Sequence, residues 1–347
     1  MLGKSLGDTL RSPRFLAPVA VALGTLTGAA LFRRLNRYEL VHRNAVVTGG
    51  SRGLGLEIAR VLVERGSSVA IIARDPLELE RALADLRPRA VKKNRVIGVV
   101  CDLLDGKGIN EMLNTVRVHL GPIDVLVNNA GAIQVGPLDT MKPEDFEQEM
   151  QLHCFAPMRT MLGVRDDMRR RGGGRIANIA SIGGVLSVPH LLPYSASKFA
   201  LVGLSQGMHA ELARDQIVVS TIVPGLMRTG SPMNATFKGN HKREYAWFTL
   251  SDSLPLISMS SERAAKQIVA ALEDGKPYVV LGLSAKLTAL ASGLFPGLMT
   301  KAMAMVTSLL PQSADPRTRF GRDAESSLTS SFLTAATRRA ALRNNEC

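Results

Sequence analysis

Beginning at residue 44, short apolar runs alternate with segments whose apolar residues recur at helical spacing. The apolar runs are NAVVTGG, SSVAIIAR, RVIGVVCD, IDVLVNNAG, GRIANIAS and IVVSTIVPG, with helical segments such as GLGLEIARVLVERG and PLELERALADLR between them. Continuous apolar strands that alternate with amphipathic helices are typical of a parallel sheet buried on both faces. The pattern therefore predicts an α/β fold, a doubly wound parallel sheet with helices on both faces.

The alternation stops after VPG, which ends at residue 225. Residues 226–260 are irregular and contain the only tryptophan, Trp247. A long insertion just past a strand end is typical of a substrate lid. One more helix, SERAAKQIVAALEDG, and one more strand, PYVVLG, follow. We therefore predict a catalytic domain over residues 44–282, with a lid at 226–260.

Residues 283–347 are predicted to be a C-terminal extension. Residues 285–310 are strongly apolar but are broken at Pro296 and Gly297, so each half is too short to span a bilayer. Three interpretations stay open: a helix-packing or dimer face, an interfacial pair of helices at a membrane, or the wall of an apolar substrate pocket. From Gln312 onward the chain is rich in Ser, Thr and Arg, which predicts a loosely ordered tail.

The N-terminal 43 residues contain an uncharged stretch at residues 15–32. As a helix it would be about 27 Å long, enough for a bilayer core. Arg33, Arg34 and Arg37 follow it, and positive charge there favours the cytoplasmic side. We therefore predict an N-terminal hydrophobic helix that anchors the protein in a membrane, with the catalytic domain on the cytoplasmic side. A cleaved signal peptide and an amphipathic surface anchor are the alternatives.

The net charge of +13 would suit nucleic acid, an anionic membrane or an anionic cofactor. No RNP, zinc-finger or homeodomain pattern accompanies this charge, so we predict no nucleic-acid partner. Cys101, Cys154 and Cys347 lie far apart and form no CxxC pair. A reduced compartment is therefore expected.

The first strand–helix junction carries a glycine-rich turn. Gly49, Gly53 and Gly55 form TGxxxGxG within TGGSRGLG. Glycine lets the backbone turn tightly, and it lets a pyrophosphate approach the helix N-terminus, where amides and the helix dipole favour anions. This position predicts a dinucleotide-binding loop.

The end of the second predicted strand discriminates between two dinucleotides. An acidic residue there would bind the ribose hydroxyls of NAD, but Ala73 occupies that place and Arg74 follows. Arg52 lies inside the glycine loop, and two guanidinium groups would suit a 2′-phosphate. NADP(H) is therefore favoured over NAD(H). Asp75 keeps the NAD option open, and Arg74 could simply begin a solvated helix.

A candidate proton-transfer group lies in PYSASKFA. Tyr194 and Lys198 are four residues apart and so lie on one helix face. A phenol titrates near pH 10, and a nearby ammonium favours the phenolate and should lower the pKa of Tyr194. Ser181 ends a predicted strand thirteen residues earlier, where its hydroxyl could hold a substrate oxygen.

Together these segments resemble the short-chain dehydrogenase/reductase family over about residues 44 to 282. The matching segments are TGGSRGLG, CDL, NNAG, NIASIGG, YSASK and VPGLMRT, in the family's order and spacing. The resemblance implies a Rossmann-type fold and a nicotinamide cofactor that carries the hydride while the protein positions the substrate and moves the proton. By analogy it also allows a homo-oligomer.

The resemblance further implies roles for individual residues. Tyr194 would be the general acid or base, Lys198 would hold the nicotinamide ribose and tune Tyr194, and Ser181 would orient the carbonyl. Asp102 would bind adenine, Asn128 would support the cofactor and the central strand, and the VPGLMRT residues would meet the nicotinamide. The implied cofactor-binding set, with no metal ligand, is Thr48, Gly49, Ser51, Arg52, Gly53, Leu54, Gly55, Arg74, Asp102, Leu103, Asn128, Ala130, Gly131, Tyr194, Lys198, Pro224, Gly225 and Thr229.

His153 occupies the position where the family usually has an asparagine, within HCFAP. In the family that residue lies at a helix kink, where its backbone carbonyl holds a water linked to the lysine. A backbone role would survive the change of side chain, whereas a titrating His153 would join the proton relay. A metal site at His153 and Cys154 is disfavoured because neighbouring helical side chains diverge and no other ligand lies close by. Cys154 is predicted to be a small buried side chain.

The leading functional prediction is a membrane-anchored, NADP(H)-dependent oxidoreductase that interconverts a ketone or aldehyde with an alcohol. The apolar segments favour an apolar substrate, lipid-like or steroid-like. Because His153 departs from the family pattern, a catalytically weak NADP(H)-binding scaffold or redox sensor is the alternative. Charge-driven polyanion binding is a third hypothesis, which predicts steep salt dependence.

Overall fold

The computed structural model describes residues 37–91, 94–253, 258–324 and 335–346, and the side chains of residues 335 and 336 are outside this description. The chain divides into two units, Met1–Glu39 and Leu40–Cys347. Almost all of the first unit, including the predicted anchor at residues 15–32, lies outside the described residues. The second unit contains every strand and helix of the described residues.

A seven-stranded parallel sheet forms the centre of this unit. The strands of the described residues are β1 Asn44–Thr48, β2 Ser68–Ala73, β3 Val96–Val100, β4 Val125–Asn128, β5 Gln134–Val135, β6 Gly174–Ile179, β7 Ile217–Pro224, β8 Met227–Arg228, β9 Thr236–Phe237, β10 Met259–Ser260, β11 Tyr278–Leu281 and β12 Arg319–Phe320. The order across the large sheet is β3-β2-β1-β4-β6-β7-β11. The order reverses between β1 and β4, which is where doubly wound sheets open a ligand crevice.

Helices cover both faces of the sheet. The α-helices are α1 Gly53–Glu64, α2 Pro76–Leu86, α3 Gly106–Leu120, α4 Pro143–Met150, α5 Ala156–Arg170, α6 Leu192–Leu212, α7 Ser231–Asn234, α8 His241–Ser253, α9 Ser261–Glu273, α10 Leu283–Leu294, α11 Pro296–Thr307 and α12 Ala335–Arg343. A π-helix, Gln151–Phe155, joins α4 to α5. The core strands are almost wholly apolar, and β1 and β4 are buried along nearly their whole length. The predicted Rossmann-type doubly wound fold is confirmed.

The segment predicted to be an irregular lid has more regular structure than its sequence indicates. Residues 226–260 contain α7, the thirteen-residue helix α8, and short strands that pair outside the main sheet. Strand β9 pairs in parallel with β5 and antiparallel with β12. These pairings join the lid to the loop after β4 and to the C-terminal extension. Residues 254–257 of the lid lie outside the described residues.

The region from Gln312, predicted to be a loosely ordered tail, contains regular structure at some of its described residues. Arg319–Phe320 forms β12, and Ala340 and Ala341 of α12 are buried against the catalytic domain. Arg60 donates hydrogen bonds to the Asn344 side chain and to the Arg343 carbonyl. The polar composition of this segment suggested disorder. The residues that it contacts lie far away in sequence, so the sequence pattern did not reveal those contacts.

Helices α10 and α11 form a bent pair within the C-terminal extension. They meet at Phe295 with a bend of 118°, and no single helix of the described residues is long and apolar enough to cross a membrane. Their large apolar side chains are mostly exposed, among them Leu287, Leu290, Leu294 and Leu298. Only Ala285, near the start of α10, packs closely, against Gly225 at the end of β7.

Candidate active site

The carboxyl ends of the central strands bring the predicted site residues together. Thr48 ends β1, Asn128 ends β4, Ser181 follows β6, and Pro224 ends β7. Because the strands are parallel, these ends lie on one edge of the sheet, where ligands of doubly wound folds bind.

The glycine loop is held in a conformation that only glycine can adopt at two key positions. Gly49 has φ +62°, and a Cβ atom there would lie 2.8 Å from the Ala130 Cα. A Cβ atom on Gly55 would overlap the Gly49 carbonyl oxygen. The loop therefore needs glycine for close packing of α1 against the β1 turn.

Asn129 fixes the far side of this loop. Its side-chain amide donates to the carbonyl oxygens of Thr48 and Gly49, both at 3.1 Å. The Thr48 hydroxyl in turn accepts from the backbone N–H groups of Asn129 and Ala130. The glycine loop and the NNAG loop are thus one hydrogen-bonded unit.

The loop has the features of a phosphate site. Gly53 begins α1, where the helix dipole favours an anion. A carboxylate of this chain, Glu346, lies beside Gly53, with one oxygen 2.9 Å from where a Gly53 Cβ would be. An acidic oxygen therefore fits beside Gly53, in the space where a dinucleotide phosphate would lie. Leu54, the residue after Gly53, is buried, so its side chain supports the loop by packing.

The two arginines predicted for the 2′-phosphate have different environments. Arg52 donates to Glu78 at 2.8 Å and to Asn234 at 3.2 Å. The same Glu78 accepts from the Ser51 hydroxyl at 2.9 Å. Arg74 is exposed at the end of β2, and no described residue forms a hydrogen bond or ion pair with it. Of the two guanidinium groups, Arg74 is therefore the one available to a ligand.

Asp75, the acidic residue that could have bound the ribose hydroxyls of NAD, has a structural role. Its carboxylate accepts from the backbone N–H groups of Leu77 at 2.8 Å and Glu78 at 3.2 Å, capping the N-terminus of α2. An N-cap carboxylate is committed to the helix.

The remaining predicted cofactor residues lie around the same edge. The Asn128 side chain donates to Asn178 and accepts from Thr160, both at 2.8 Å, so it links β4, β6 and α5 inside the core. The exposed Asp102 accepts from the Leu104 N–H at 3.0 Å, while Leu103 is buried. Further along the edge, beyond Pro224 and Gly225, Thr229 is buried and donates its hydroxyl proton to Ser231 at 2.7 Å.

Ser181, Tyr194 and Lys198 converge as the sequence predicted. Tyr194 and Lys198 lie on the N-terminal half of α6, and the Ser181 hydroxyl lies close enough to the Tyr194 phenol to lower its pKa. Lys198 Nζ donates to the Ile179 carbonyl at 3.0 Å and lies 5.6 Å from the centre of the Tyr194 ring. A Cβ atom on Gly131 would lie 3.8 Å from that Nζ, so Gly131 leaves room for it.

The electrostatics of Tyr194 differ from the sequence prediction. Burial raises the pKa of the Tyr194 phenol, the hydrogen bond with Ser181 lowers it, and the nearby carboxyls of Glu149 and Asp252 raise it further. Burial also lowers the pKa of Lys198 to about 8, against the opposing effect of Glu149. The predicted lowering of the pKa of Tyr194 is therefore wrong for the protein alone, because desolvation outweighs the neighbouring charge. Tyr194 is a protonated phenol at neutral pH.

His153 lies in the π-helix between α4 and α5. A π-bulge there is consistent with the kink that the family resemblance implied. Residue 157, four positions on, is proline and has no N–H, so the usual α-helical donor to the His153 carbonyl is missing. The sequence itself therefore leaves this carbonyl free of its α-helical partner.

The His153 imidazole is buried, 1% exposed, and both its nitrogens have partners. Nε2 accepts from the Ala132 N–H at 3.2 Å, so the ring hydrogen of the neutral form is on Nδ1. Nδ1 lies 2.9 Å from the Ser197 hydroxyl, which donates to the Tyr194 carbonyl. Burial, and then the charge of Lys198, lower the pKa of His153, while Glu149 raises it. The neutral imidazole is therefore the favoured form.

Glu149 is a buried carboxylate that the sequence pattern did not reveal. Its Oε2 lies 2.8 Å from His153 Nδ1, and the residue is 5% exposed. This short contact with Glu149 raises the pKa of His153, against the lowering by burial and Lys198. The i, i+4 spacing of Glu149 and His153 was the available signal.

Cys154 points away from this group. Its side chain is only half-buried, which corrects the prediction of a buried residue, and burial raises the pKa of its thiol. Adjacent helical positions diverge, so His153 is inside while Cys154 is at the surface. Among the described residues, no group of three or more His, Cys, Asp or Glu side chains could hold a metal ion.

The fold and the site define a dinucleotide-dependent oxidoreductase with a Ser–Tyr–Lys centre. A family profile described as short chain dehydrogenase matches residues 43–239, more than half of the chain. The chain belongs to the short-chain dehydrogenase/reductase family. It is an oxidoreductase acting on CH–OH and C=O groups.

Several characterised proteins resemble this chain. Dehydrogenase/reductase SDR family member 7B of Bos taurus is 32% identical over 295 residues, covering 82% of this chain and 89% of the relative. A 3alpha-hydroxysteroid dehydrogenase of Mediterraneibacter gnavus is 32% identical over 55% of this chain and 76% of its own length. The crystal structure of L-sorbose reductase from Gluconobacter frateurii, complexed with NADPH and L-sorbose, has a TM-score of 0.62 at 27% identity, covering 70% of this chain and 96% of that one.

Proposed function

We propose that this oxidoreductase uses NADP(H) to interconvert a ketone or aldehyde with an alcohol on an apolar substrate. The observation that carries the proposal is the convergence of Ser181, Tyr194 and Lys198 beside the glycine loop. The intact trio argues against the alternative of a scaffold that has lost catalysis.

In the reductive direction the residues divide the work. The Ser181 hydroxyl orients the carbonyl oxygen, and the protonated Tyr194 phenol donates its proton to that oxygen. Lys198, in its charged form, stabilises the tyrosinate that remains. The nicotinamide, when bound, supplies the hydride to the carbonyl carbon. In the oxidative direction Tyr194 takes the hydroxyl proton as the general base.

Three observations support NADP(H) over NAD(H). Arg74 is exposed at the end of β2 and is available to a dianionic 2′-phosphate. Asp75 is committed to capping α2. A structural relative was solved with NADPH.

An apolar substrate is supported by the surroundings of Tyr194. Its ring packs against a cluster that contains the buried Leu191 and Phe248, with Trp247 partly buried beside it. Phe248 and Trp247 belong to α8 in the segment predicted as the lid. One relative is named for action on a hydroxysteroid, which supports a bulky apolar substrate for this chain.

For His153 we infer a positioning role. A neutral imidazole between Ala132, Ser197 and Glu149 orients the loop after β4 and the second turn of α6. Its ring lies edge-on to the Tyr194 ring, with 5.4 Å between the ring centres. The expected consequence is that His153 affects the rate through geometry, without adding a titrating group.

Association with a membrane is part of the proposal. The support is the uncharged sequence at residues 15–32 and the exposed leucines of α10 and α11. The test is flotation of a chain lacking residues 1–43 with phosphatidylcholine–phosphatidylserine vesicles, beside the same chain carrying Leu290→Glu and Leu298→Glu. We expect the first to float and the second not; equal flotation would remove α10 and α11 from the membrane contact.

The decisive test of the activity is Tyr194→Phe in the purified protein, with NADPH oxidation followed over a panel of ketones and aldehydes. Removal of a general acid should lower kcat/KM by about 100-fold or more. Tyr278→Phe is the matched control, because Tyr278 is 38% exposed on β11 and outside the site. Undiminished turnover in Tyr194→Phe would refute the assigned role. NADPH binding by the wild type with no turnover on any carbonyl would favour the scaffold.

A further inference from the structure

The three residues Asn344–Glu346, named the 344–346 segment, lie on the glycine loop. The Asn344 carbonyl accepts from the Gly53 N–H at 2.9 Å. The Asn345 side chain donates to the carbonyls of Ser51 at 2.9 Å and Glu78 at 3.0 Å. The segment therefore bridges the loop after β1 and the first turn of α2.

Glu346 places a carboxylate in the crevice itself. Its Oε2 accepts from the Gly230 N–H at 2.6 Å, and its Oε1 lies 2.9 Å from the position of a Cβ on Gly53. The residue is 8% exposed. The Glu346 side chain thus lies between Gly53 and Gly230. Gly53 and Thr229, the residue before Gly230, belong to the predicted cofactor-binding set.

Contacts outside the loop hold the segment in this place. Arg60 of α1 donates to the Asn344 side chain at 2.8 Å, and Asn344 donates to Ser261 of α9 at 3.0 Å. Arg81 of α2 donates to the Asn345 side chain at 2.6 Å. These bonds use surfaces that a dinucleotide in the crevice would not need. The segment therefore has its own docking site, and only its loop contacts overlap with the ligand.

The overlap is both steric and electrostatic. The Gly53 N–H that would face a phosphate already donates to Asn344, and the Glu346 carboxylate fills the adjacent space. Wherever Glu346 is ionised, its charge would also repel a phosphate at this helix N-terminus.

We propose that the 344–346 segment is an autoinhibitory ligand of the glycine loop, which the dinucleotide must displace before it can bind. The inference rests on the proposed function, because it requires the phosphates of the nicotinamide cofactor at Gly53. Occupancy of the loop by the segment reduces the apparent cofactor affinity by the fraction of molecules in which the loop is free.

The test compares NADPH dissociation constants, measured by the fluorescence of the bound nucleotide, for the full chain and for a chain lacking residues 344–347. The shortened chain should bind NADPH at least about tenfold more tightly, which corresponds to docking in about nine molecules of ten. Glu346→Ala in the full chain should give part of this gain. Asp166→Asn, an exposed carboxylate on α5, is the matched control and should change nothing. Equal or weaker binding by the shortened chain overturns autoinhibition, and weaker binding makes the segment part of the cofactor site.

Two further measurements separate this inference from the proposed function. A synthetic peptide of residues 335–346 added to the shortened chain should raise the dissociation constant of NADPH in proportion to its concentration; no competition contradicts the inference. Hydrogen exchange of the Gly49–Gly55 amides, measured without nucleotide, should be faster in the shortened chain, and unchanged exchange overturns docking. If neither protein binds NADPH although exchange does increase, the proposed cofactor is refuted and autoinhibition with it, while the docking itself stands.

Discussion

The two halves of the crevice differ in how their residues are occupied. Around Tyr194, the catalytic residues predicted from the sequence lie next to one another. Two further residues support them: Glu149 contacts His153, and Ser197 donates a hydrogen bond to the Tyr194 carbonyl. Around the glycine loop, the predicted cofactor-binding residues contact residues from distant parts of the chain. Arg52 pairs with Glu78, and Gly53 faces Asn344 and Glu346.

The difference shows how each half prepares for its ligand. The catalytic half is organised before the substrate arrives, which limits reorganisation during proton transfer. In the cofactor half, Gly53 contacts Asn344 and Glu346, which under our proposal an incoming phosphate would replace. Changes in the first half should therefore alter rates and pH profiles, and changes in the second should alter cofactor affinity.

The largest effect is expected from Gly55→Ala in the glycine loop. The added methyl would overlap the Gly49 carbonyl, which is backbone and cannot move aside, so we expect a loss of about 3 kcal/mol of folding stability and of NADPH binding. Gly293→Ala in α10 is the control, because an added Cβ there meets no described atom within 4 Å and favours the helix. Thermal unfolding and NADPH titration measure both. A stable Gly55→Ala protein with normal NADPH binding would contradict the close packing.

A tenfold effect is expected from Arg74→Ala. Loss of a charge-assisted contact to the 2′-phosphate should raise the KM for NADPH about tenfold and leave the KM for NADH unchanged. Arg87→Ala, at an exposed arginine beyond α2, is the control. Steady-state kinetics with both nucleotides give the answer, and equal changes for NADPH and NADH would remove Arg74 from discrimination.

A comparable, pH-dependent effect is expected from Glu346. Burial, with a smaller contribution from Glu78, raises its pKa to about 7 from the ordinary 4.5, against lowering by the Gly230 N–H and Arg52. Docking therefore takes up a proton, so it is favoured at low pH and weakens as the pH rises from 4.5 through 7. The ratio of NADPH dissociation constants, full chain over shortened chain, should fall about tenfold between pH 6 and pH 8. In Glu346→Gln this ratio should not change with pH. A ratio that still falls with pH in this variant would show that another group titrates.

The smallest effects are expected behind Tyr194. Because the pKa of Lys198 is lowered to about 8 and Glu149 opposes that lowering, the high-pH limb of kcat/KM should lie near pH 8 and move to lower pH in Glu149→Gln. Glu64→Gln, half-exposed on α1, is the control. His153→Asn should lower kcat a few-fold and leave the limb in place. If the pH profile of kcat/KM gains or loses a limb in His153→Asn, His153 titrates as a member of the proton relay.

Prediction from the sequence succeeded where the signal was local. Tyr194 and Lys198 share a helix face because of their spacing, and the strands are apolar runs bounded by turns. The spacing of apolar residues and the positions of the turn residues were therefore enough to predict these features. It did not reveal the contacts of Asn344 and Asn345, which lie in a segment of polar composition and have partners on α1, α2 and α9. It also missed α8, because a helix with apolar residues spread around its axis has no clear stripe.

The sequence by itself determined the fold class, the glycine turn, the Ser–Tyr–Lys trio and the missing donor opposite the His153 carbonyl. Each follows from bonds or spacings within a few residues or from strand order along the chain. Only the tertiary structure decided the protonation of Tyr194 and the partners of the glycine loop. Desolvation of a phenol depends on everything packed around it, and Glu346 reaches Gly53 across nearly the whole length of the chain. Burial and long-range contacts are properties of the packed molecule, so no local pattern encodes them.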